Sequence, residues 1–257
     1  MRLRVVTFNV KDRLLAGCRR LRMSEAGRAL GALRPDVVGL QEAFSERHRR
    51  LFLEAMERAA GERFESAYFP SGPYGSGLMT ASRLPIGARG FHRFSRNGSW
   101  LHLNRGDRYA GKGVGWTLLR LPGGGRLDLF NVHAIARYGF CDDDYLDDRR
   151  LQMGELRAFV EATRDPAAPG ILLGDLNCFR GDPEYRIAVA GDGASPPFEP
   201  LFAAPAVDHV FGLAASGVRY AAGEALPLTT TAAADGRRVL LSDHVGWCLT
   251  VELTLGA

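Results

Sequence analysis

Gly174-Asp175-Leu176-Asn177 follows the apolar run Ile171-Leu172-Leu173 and sets a carboxylate and a carboxamide two residues apart at the mouth of a buried strand. Residues i and i+2 of an extended segment point to the same side. An Asp placed this way can take a proton from water, and an Asn can hold that water or a phosphoryl oxygen in line. Asp and Asn also suit ordinary turns, so the tetrapeptide says little alone. Repetition changes that. Residues 3–10 carry Asn9 near their end, 36–42 finish in Gln41 and Glu42, and 127–133 finish in Asn131 and His133. Residues 207–211 carry Asp208 and His209, and Ser242-Asp243-His244 precedes the apolar stretch 245–251. These are the residue types that bind divalent metal or phosphate, each set at one end of a short apolar run.

The elements that must position them follow from periodicity. Strands are expected at 2–10, 36–42, 76–82, 114–121, 126–133, 170–175, 206–212 and 244–253. Leu121-Pro-Gly-Gly-Gly-Arg126 reads as a hairpin turn. Helices are expected over 24–33, 46–60 and about 145–163. Ser24 is the expected N-cap of the first, and Arg34-Pro35 its stop. In the second, Leu51, Ala55 and Ala59 share a face, with Phe52 and Met56 beside them; in the third, Leu156, Phe159 and Val160 fall at core spacing. Segments 191–206 and 213–240, rich in Ala, Gly, Pro and Thr, read as loops. Many strands and few helices suggest two stacked sheets flanked by helices. No repeat or low-complexity linker divides the chain, so 1–257 is expected to be a single domain.

Composition narrows the function classes. The chain has 257 residues and a formal net charge of +4 at pH 7. That mild positive balance suits an anionic substrate but is not the dense basic clustering of a charge-driven nucleic-acid binder. Lysine occurs only as Lys11 and Lys112, and arginine supplies the other positive charges. Cys18, Cys141, Cys178 and Cys248 are scattered, with neither metal-ligand nor disulfide spacing. No stretch reaches membrane-spanning length and no charged-then-apolar signal segment opens the chain, so a soluble cytoplasmic protein is expected. Oligomeric state leaves no trace in the sequence.

The ordered set Thr7-Phe8-Asn9, Leu40-Gln41-Glu42, Asn131-x-His133, Gly174-Asp175-Leu176-Asn177 and Ser242-Asp243-His244 resembles the endonuclease/exonuclease/phosphatase superfamily over nearly the whole chain. The resemblance implies a four-layer, DNase I-like α/β sandwich of two packed mixed sheets flanked by helices, a site at one end of the sheets, a divalent metal (Mg²⁺, with Mn²⁺ as a substitute) and phosphoester hydrolysis. A narrower resemblance is to neutral sphingomyelinases. It is carried by Gly75-Ser-Gly-Leu-Met-Thr-Ala-Ser-Arg-Leu-Pro-Ile86, by Gly106-Asp-Arg-Tyr-Ala-Gly-Lys-Gly-Val-Gly115, and by His133, Tyr138 and 144–152. The family's Thr-His-x-His-Ala-Glu-Tyr stretch stands here as Asn131-Val-His-Ala-Ile-Ala-Arg-Tyr138, retaining one histidine of the two. That departure touches lipid specificity rather than diester chemistry.

In this reading Glu42, helped by Asn9, holds the metal, since Mg²⁺ prefers few carboxylates and several waters. Asp175 is the general base and Asn177 holds the water or a phosphoryl oxygen. His244 donates to a non-bridging oxygen, and the superfamily pattern gives Asp243 the task of orienting it. His133 is a second phosphoryl or leaving-group contact, with Asp208 as its orienting carboxylate. Lys112, in a glycine-rich loop, and Asn131 are expected to bind substrate, and Asp107 is a candidate partner for Lys112. His209, His48, His92 and His102 are expected to be structural or surface groups. The substrate expected first is a phosphodiester with a lipid headgroup. The alternative is a nuclease or a nucleotide or sugar phosphatase, for which Arg93, Arg96, Trp100, Arg105, Arg108 and Tyr109 could grip a polyanion. Peripheral membrane contact would fall to Tyr68, Phe69, Trp100 or Phe140. A binding module that had lost catalysis is disfavoured, because every matched acid, amide and imidazole is present.

Overall fold

The computed structural model describes residues 1–98, 107–138, 145–190, 198–203, 206–228, 231–234 and 236–255. One six-stranded sheet contains β1 (Arg2–Asn9), β2 (Val37–Gln41), β3 (Glu65–Tyr68), β4 (Met79–Ser82), β11 (Val218–Pro227) and β14 (Trp247–Leu255), in the order β11-β14-β1-β2-β4-β3. The other contains β5 (Ile86–Arg93), β6 (Gly113–Arg120), β7 (Arg126–His133), β8 (Gly170–Asp175), β9 (Phe198–Pro200) and β10 (Asp208–Leu213), in the order β5-β6-β7-β8-β10-β9. A separate hairpin pairs β12 (Thr231–Ala234) with β13 (Arg237–Leu240). Helices α1 (Arg19–Ala32) and α2 (Glu46–Ala60) lie on the first sheet, and α4 (Leu146–Thr163) and α5 (Pro183–Val189) on the second; α3 is the single turn Asp107–Ala110.

Three apolar layers explain why the central strands read as nearly continuous hydrophobic runs. Val5, Val37, Leu129, Ile171, Leu173 and Leu249 fill the space between the sheets. Val6, Phe8 and Val38 face Met23, Leu30, Phe52 and Met56 of the first helical layer. Phe130, Val132 and Leu172 face Met153, Leu156 and Val160 of the second. A strand buried on both faces loses the alternation of a half-exposed one. The expected four-layer sandwich is the observed one.

Several local expectations need correction. Helix α1 begins at Arg19, after Cys18 at φ 53°, so Ser24 lies inside the helix and caps nothing. The buried stripe starts early because the Arg22 guanidinium is buried too, donating to Leu241 O and Val10 O. The core face of α2 centres on Phe52 and Met56, while Ala59 is exposed. Segment 213–240 holds β11, β12 and β13 rather than a loop, and 198–200 forms β9. Strand β11 reads as a loop because Ala and Gly fill it; pairing with β14, across an irregularity between Ala222 and Ala225, recruits it as an edge strand.

Register then gathers the polar strand ends. Strands β1 and β2 are parallel, with Asn9 opposite Gln41. Strands β7 and β8 are parallel, with His133 opposite Asp175, and Asp208 opens β10 directly opposite Asp175. Two glycines permit the close approaches this requires. A Cβ on Gly174 (φ 139°) would stand 2.1 Å from Val132 O, and one on Gly39 would stand 2.1 Å from Leu173 Cδ1 in the facing sheet.

Candidate active site

Asp175, at the end of β8, is the hub. Its side chain is 1 % exposed; Oδ2 accepts from Asn9 Nδ2 at 3.0 Å and lies 3.5 Å from His133 Nε2 and 3.8 Å from His244 Nε2. Its Oδ1 accepts the Asn177 backbone N–H at 2.9 Å. Asn177 is therefore not a continuation of the strand but the close of an Asx turn, at φ 50°, with its amide donating to Ala134 O at 2.9 Å. The two side chains share the site for that reason and not through strand alternation. Burial and the nearby charge of Asp208 raise the Asp175 carboxyl to about 6.

His244 Nδ1 meets Asp208 Oδ2 at 2.9 Å. Burial lowers the imidazole, but the hydrogen bond to Asp208 and the charges of Asp175, Asp208 and Asp243 outweigh it and lift it to about 9. The histidine is thus an imidazolium at neutral pH, with Nε2 turned toward Asp175 and Asn9. Asp208 itself is pushed up by burial. The expected pairing of acids and imidazoles is corrected here: Asp208 serves His244, not His133. Asp243, whose side chain is 45 % exposed, pairs instead with the Lys11 amine and lies 4.0 Å from an Arg13 nitrogen. Register decides this, because Asp208 at the start of β10 faces the end of β8, beside the segment that delivers His244.

His133 is buried, and its Nε2 lies 3.0 Å from Lys112 Nζ. An ammonium has only protons to offer, so Nε2 must be the acceptor and Nδ1 must carry the ring proton. Nδ1 has no hydrogen-bond partner among the described residues. Burial, then the Lys112 charge, holds the ring well below its ordinary titration range. Lys112 is only 2 % exposed and also donates to Ala134 O at 2.8 Å. It is a packed group beside His133, not a solvated loop lysine; the side chain of Asp107, its candidate partner, lies outside the described residues.

Asn131 is corrected as well. Its Nδ2 donates to Leu40 O and Met79 O, both at 3.1 Å, and its Oδ1 accepts from Gln41 Nε2 at 2.8 Å. The amide ties β7 to β2 and β4 across the sandwich, with both its N–H groups engaged and the side chain fully buried, out of reach of a substrate.

Glu42 follows β2 at φ 55°, fixed by Asp12 N–H donating to its carbonyl and by Ala43 N–H donating to Gly77 O. Its Oε2 lies 3.0 Å from Arg13 Nε, without hydrogen-bond geometry to any described group. Burial raises the carboxyl, with Arg13, Lys112 and His244 pulling against it. A buried carboxylate oxygen left unsatisfied suits a divalent cation. Asn9 Oδ1 accepts the Lys11 N–H, and a carbonyl oxygen has a second lone pair to give. Asp175, Asp208 and His244 also form a group able to hold a metal ion, although the His244–Asp208 hydrogen bond competes with that use.

Two groups escaped the sequence reading. Asp12 is fully buried and gathers Arg19 Nε at 2.6 Å, His48 Nδ1 at 2.7 Å and the Ser45 N–H at 3.0 Å, bracing the turn that carries Glu42. His48, read as a surface or packing group, is its partner. His209 is structural as expected, with Nε2 2.9 Å from Cys178 O. Of the polyanion-gripping set, Arg93 and Arg96 are exposed and Tyr109 packs edge-on to Tyr74; Trp100, Arg105 and the Arg108 side chain lie outside the described residues, as does His102. Of the membrane-contact set, Phe69 is buried core and Tyr68 lies under the Arg49 guanidinium; Trp100 and Phe140 lie outside the described residues.

The family and the fold have known counterparts. Mouse sphingomyelin phosphodiesterase 2 is 35 % identical over 178 residues, covering 69 % of this chain and 42 % of that protein. The chain spans about two fifths of the length of the first curated relatives it matches. Sphingomyelinase C from Streptomyces griseocarneus superposes with a TM-score of 0.67 at 21 % identity, covering 97 % of this chain and 99 % of that one. A double mutant of Staphylococcus aureus beta toxin, with bound magnesium ions, superposes at 0.70 and 17 % identity, covering 97 % and 99 %. No described helix is long and apolar enough to cross a membrane. The endonuclease/exonuclease/phosphatase family profile matches residues 6–244, nearly the whole chain, and the chain belongs to that family.

Proposed function

We propose that this chain is a metal-dependent phosphodiesterase of the sphingomyelinase type, which releases a phosphorylated headgroup from a lipid diester by in-line attack of water. The observation that carries the reading is the convergence, at one end of the sandwich, of a carboxylate near neutrality, a carboxylate-paired imidazolium and a glutamate whose buried Oε2 meets only the Arg13 charge among the described residues. Relatives named for sphingomyelin hydrolysis favour a lipid diester over nucleic acid.

Glu42, with Asn9, would hold the ion, Mg²⁺ by preference and Mn²⁺ in its place. When bound, that ion would neutralise phosphoryl oxygens and lower the pKa of water or of the departing alcohol. Asp175 takes the proton of the attacking water above about pH 6, where it is ionised. Asn9 and Asn177 fix its carboxylate, through Nδ2 and the backbone N–H respectively. His244 presents Nε2–H to a non-bridging oxygen, and Asp208 keeps that ring charged and oriented. Neutral His133 accepts from Lys112, which adds positive charge at the inner wall of the site.

The test is turnover of sphingomyelin in mixed micelles with Mg²⁺ or EDTA, beside plasmid nicking and bis-p-nitrophenyl phosphate hydrolysis on one preparation. Phosphocholine release that requires Mg²⁺, without DNA cutting, is the expected result. Cleavage of DNA or the generic diester without lipid turnover would overturn the lipid assignment and keep the diester chemistry.

A further inference from the structure

The loop joining β1 to α1 carries an exposed apolar tip. Leu14 is 70 % exposed and Leu15 is 96 % exposed. They occupy the centre of a turn closed by Ala16 N–H donating to Arg13 O at 2.9 Å. One exposed leucine is ordinary; three observations set this pair apart.

First, the turn is built, not loose. The buried Asp12 carboxylate is held by Arg19, His48 and the Ser45 N–H, and Arg19 also reaches Asp12 O at 3.0 Å. The Arg22 guanidinium clamps Val10 O at 2.9 Å and Lys11 O at 3.2 Å. The leucines are therefore presented on a fixed stem, and docking them costs little ordering.

Second, the stem stands at the mouth of the site. Lys11 N–H donates to Asn9 Oδ1, and Arg13, the first residue of the turn, lies 3.0 Å from Glu42 Oε2. Third, the flank is basic. Lys11, Arg13, Arg19 and Arg20 outnumber the acids they meet: Lys11 pairs with Asp243, Arg13 with Glu42 and Arg19 with Asp12, and Arg20 stays exposed beyond them.

We propose that the Leu14-Leu15 turn seats this chain on a phosphate-bearing lipid surface. The leucines enter the acyl layer, and the exposed Arg20 meets lipid phosphates. The inference rests on the lipid-diester reading of the site and adds the surface through which the site reaches its substrate. A protein partner fits the tip less well. Stable protein interfaces bury about 800 Å² on each side around an extended apolar core, whereas two projecting leucines ringed by arginines offer only a point. A lipid interface asks for insertion at a point together with headgroup attraction. Two leucines give reversible docking, which suits an enzyme that must leave one lipid for the next.

The experiment compares the intact chain with the double variant Leu14→Ser, Leu15→Ser. Binding to sphingomyelin–phosphatidylcholine vesicles is read by co-sedimentation, with EDTA present so that turnover does not consume the surface. The partition coefficient should fall by about tenfold or more on losing two leucines, and bilayer sphingomyelin turnover should fall with it. Melting temperature and hydrolysis of the soluble diester bis-p-nitrophenyl phosphate should stay unchanged. A second variant, Arg20→Gln, should weaken partition into vesicles containing anionic lipid about fivefold at low salt and much less at high salt. Equal vesicle binding by wild type and double variant would overturn the proposal. So would absence of wild-type binding, self-association of the wild type that the double variant abolishes without vesicle binding, or an equal loss of soluble-diester turnover. Vesicle binding that depends on the leucines, with sphingomyelin left intact, would uphold the docking surface and overturn the substrate reading alone.

Discussion

Replacing Asp208 with Asn isolates the electrostatic part of the site, because it removes one charge and keeps shape and an acceptor oxygen. His244 sits at about 9 against an ordinary 6.5, a gap worth on the order of 3 kcal/mol of imidazolium stabilisation. Burial works against that gap, so the carboxylates together supply more than the net. Both partners are buried enough for solvent to screen the pair only weakly: Asp208 is 4 % exposed and His244 21 % at the side chain. Asp175 and Asp243 remain in the variant, so His244 should fall by about one to two pH units, ~2 kcal/mol, rather than the whole way.

The proposed mechanism needs Asp175 ionised and His244 protonated, so the wild-type kcat/KM profile should rise through about pH 6 and fall through about pH 9. In Asp208→Asn the falling limb should move to about pH 7.5, which costs roughly fourfold at pH 8 and little at pH 6. The rising limb should also move down, since the Asp208 charge helps to raise Asp175. Stability carries the same sign. His244 is raised on folding, so its contribution is complete below 6.5 and is lost as pH climbs through about 9. The assay is the kcat/KM profile of a soluble diester, with the His244 Hε1 resonance titrated in parallel. A falling limb that stays near pH 9, or a uniform loss at every pH, would refute the assigned pair and leave Asp208 a packing residue.

Other substitutions separate holding, bracing and packing. Glu42→Gln should keep the fold by circular dichroism yet weaken Mg²⁺ binding by about tenfold or more in calorimetry; unchanged affinity would move the ion elsewhere, with the Asp175, Asp208 and His244 group as the next place to look. Asn131→Leu removes the side-chain donor of Leu40 O and Met79 O between the sheets, while Gln41 Nε2 keeps Thr7 Oγ1 and Gly39 O, so urea unfolding should show a loss of about 2–4 kcal/mol. Any surviving folded fraction should retain its KM, whereas a raised KM at full stability would restore Asn131 to substrate binding. Gly174→Ala would press a Cβ to 2.1 Å from Val132 O; a loss of about 3 kcal/mol or more is expected, and a neutral effect would mean that β7 and β8 can separate where His133 faces Asp175.

The sequence displays the site more fully than it displays the partnerships inside it. Asn9, Glu42, His133, Asp175, Asp208 and His244 stand out because each ends or begins an apolar run, and strand order brings those ends together. Which acid serves which imidazole depends on register. Asp243 is adjacent to His244 in sequence, yet the turn at Ser242, anchored by its hydroxyl on Asn9 O, leaves Asp243 facing Lys11. Asn131 carries the right residue type in a matched motif, but its direction into the sandwich was invisible, since a strand buried on both faces gives no polar alternation to read. Asp12 and His48 were hidden for a related reason: an acid in a loop and a histidine in the first turn of a helix look solvent-bound until the turn carrying Glu42 is seen to need a brace. Strand β11 stayed hidden because pairing with β14, rather than its own Ala- and Gly-rich composition, makes it extended.

The unsatisfied atoms at the strand ends belong to function rather than to stability. Glu42 Oε2, His133 Nδ1, Asp208 Oδ1 and Gln41 Oε1 are all buried without a hydrogen-bond partner among the described residues, and such a group costs about 1–3 kcal/mol where no charge offsets it, as Arg13 does for Glu42. Other buried polar atoms share this lack elsewhere in the protein, but these four sit on residues that converge on one site. Charge says the same. Glu42, Asp175, Asp208 and Asp243 face Lys11, Arg13, Lys112 and His244 among the described residues, so the carboxylates and the cations balance. The balance is arranged in layers. Lys11 and Arg13 lie at the rim with Asp243, while Lys112 and His133 lie inside against Asp175. A site that is neutral in sum but positive at Lys112 and at His244 can accept an anionic diester between them without expelling a carboxylate. It can do so only while His244 keeps its proton, which returns the question to Asp208.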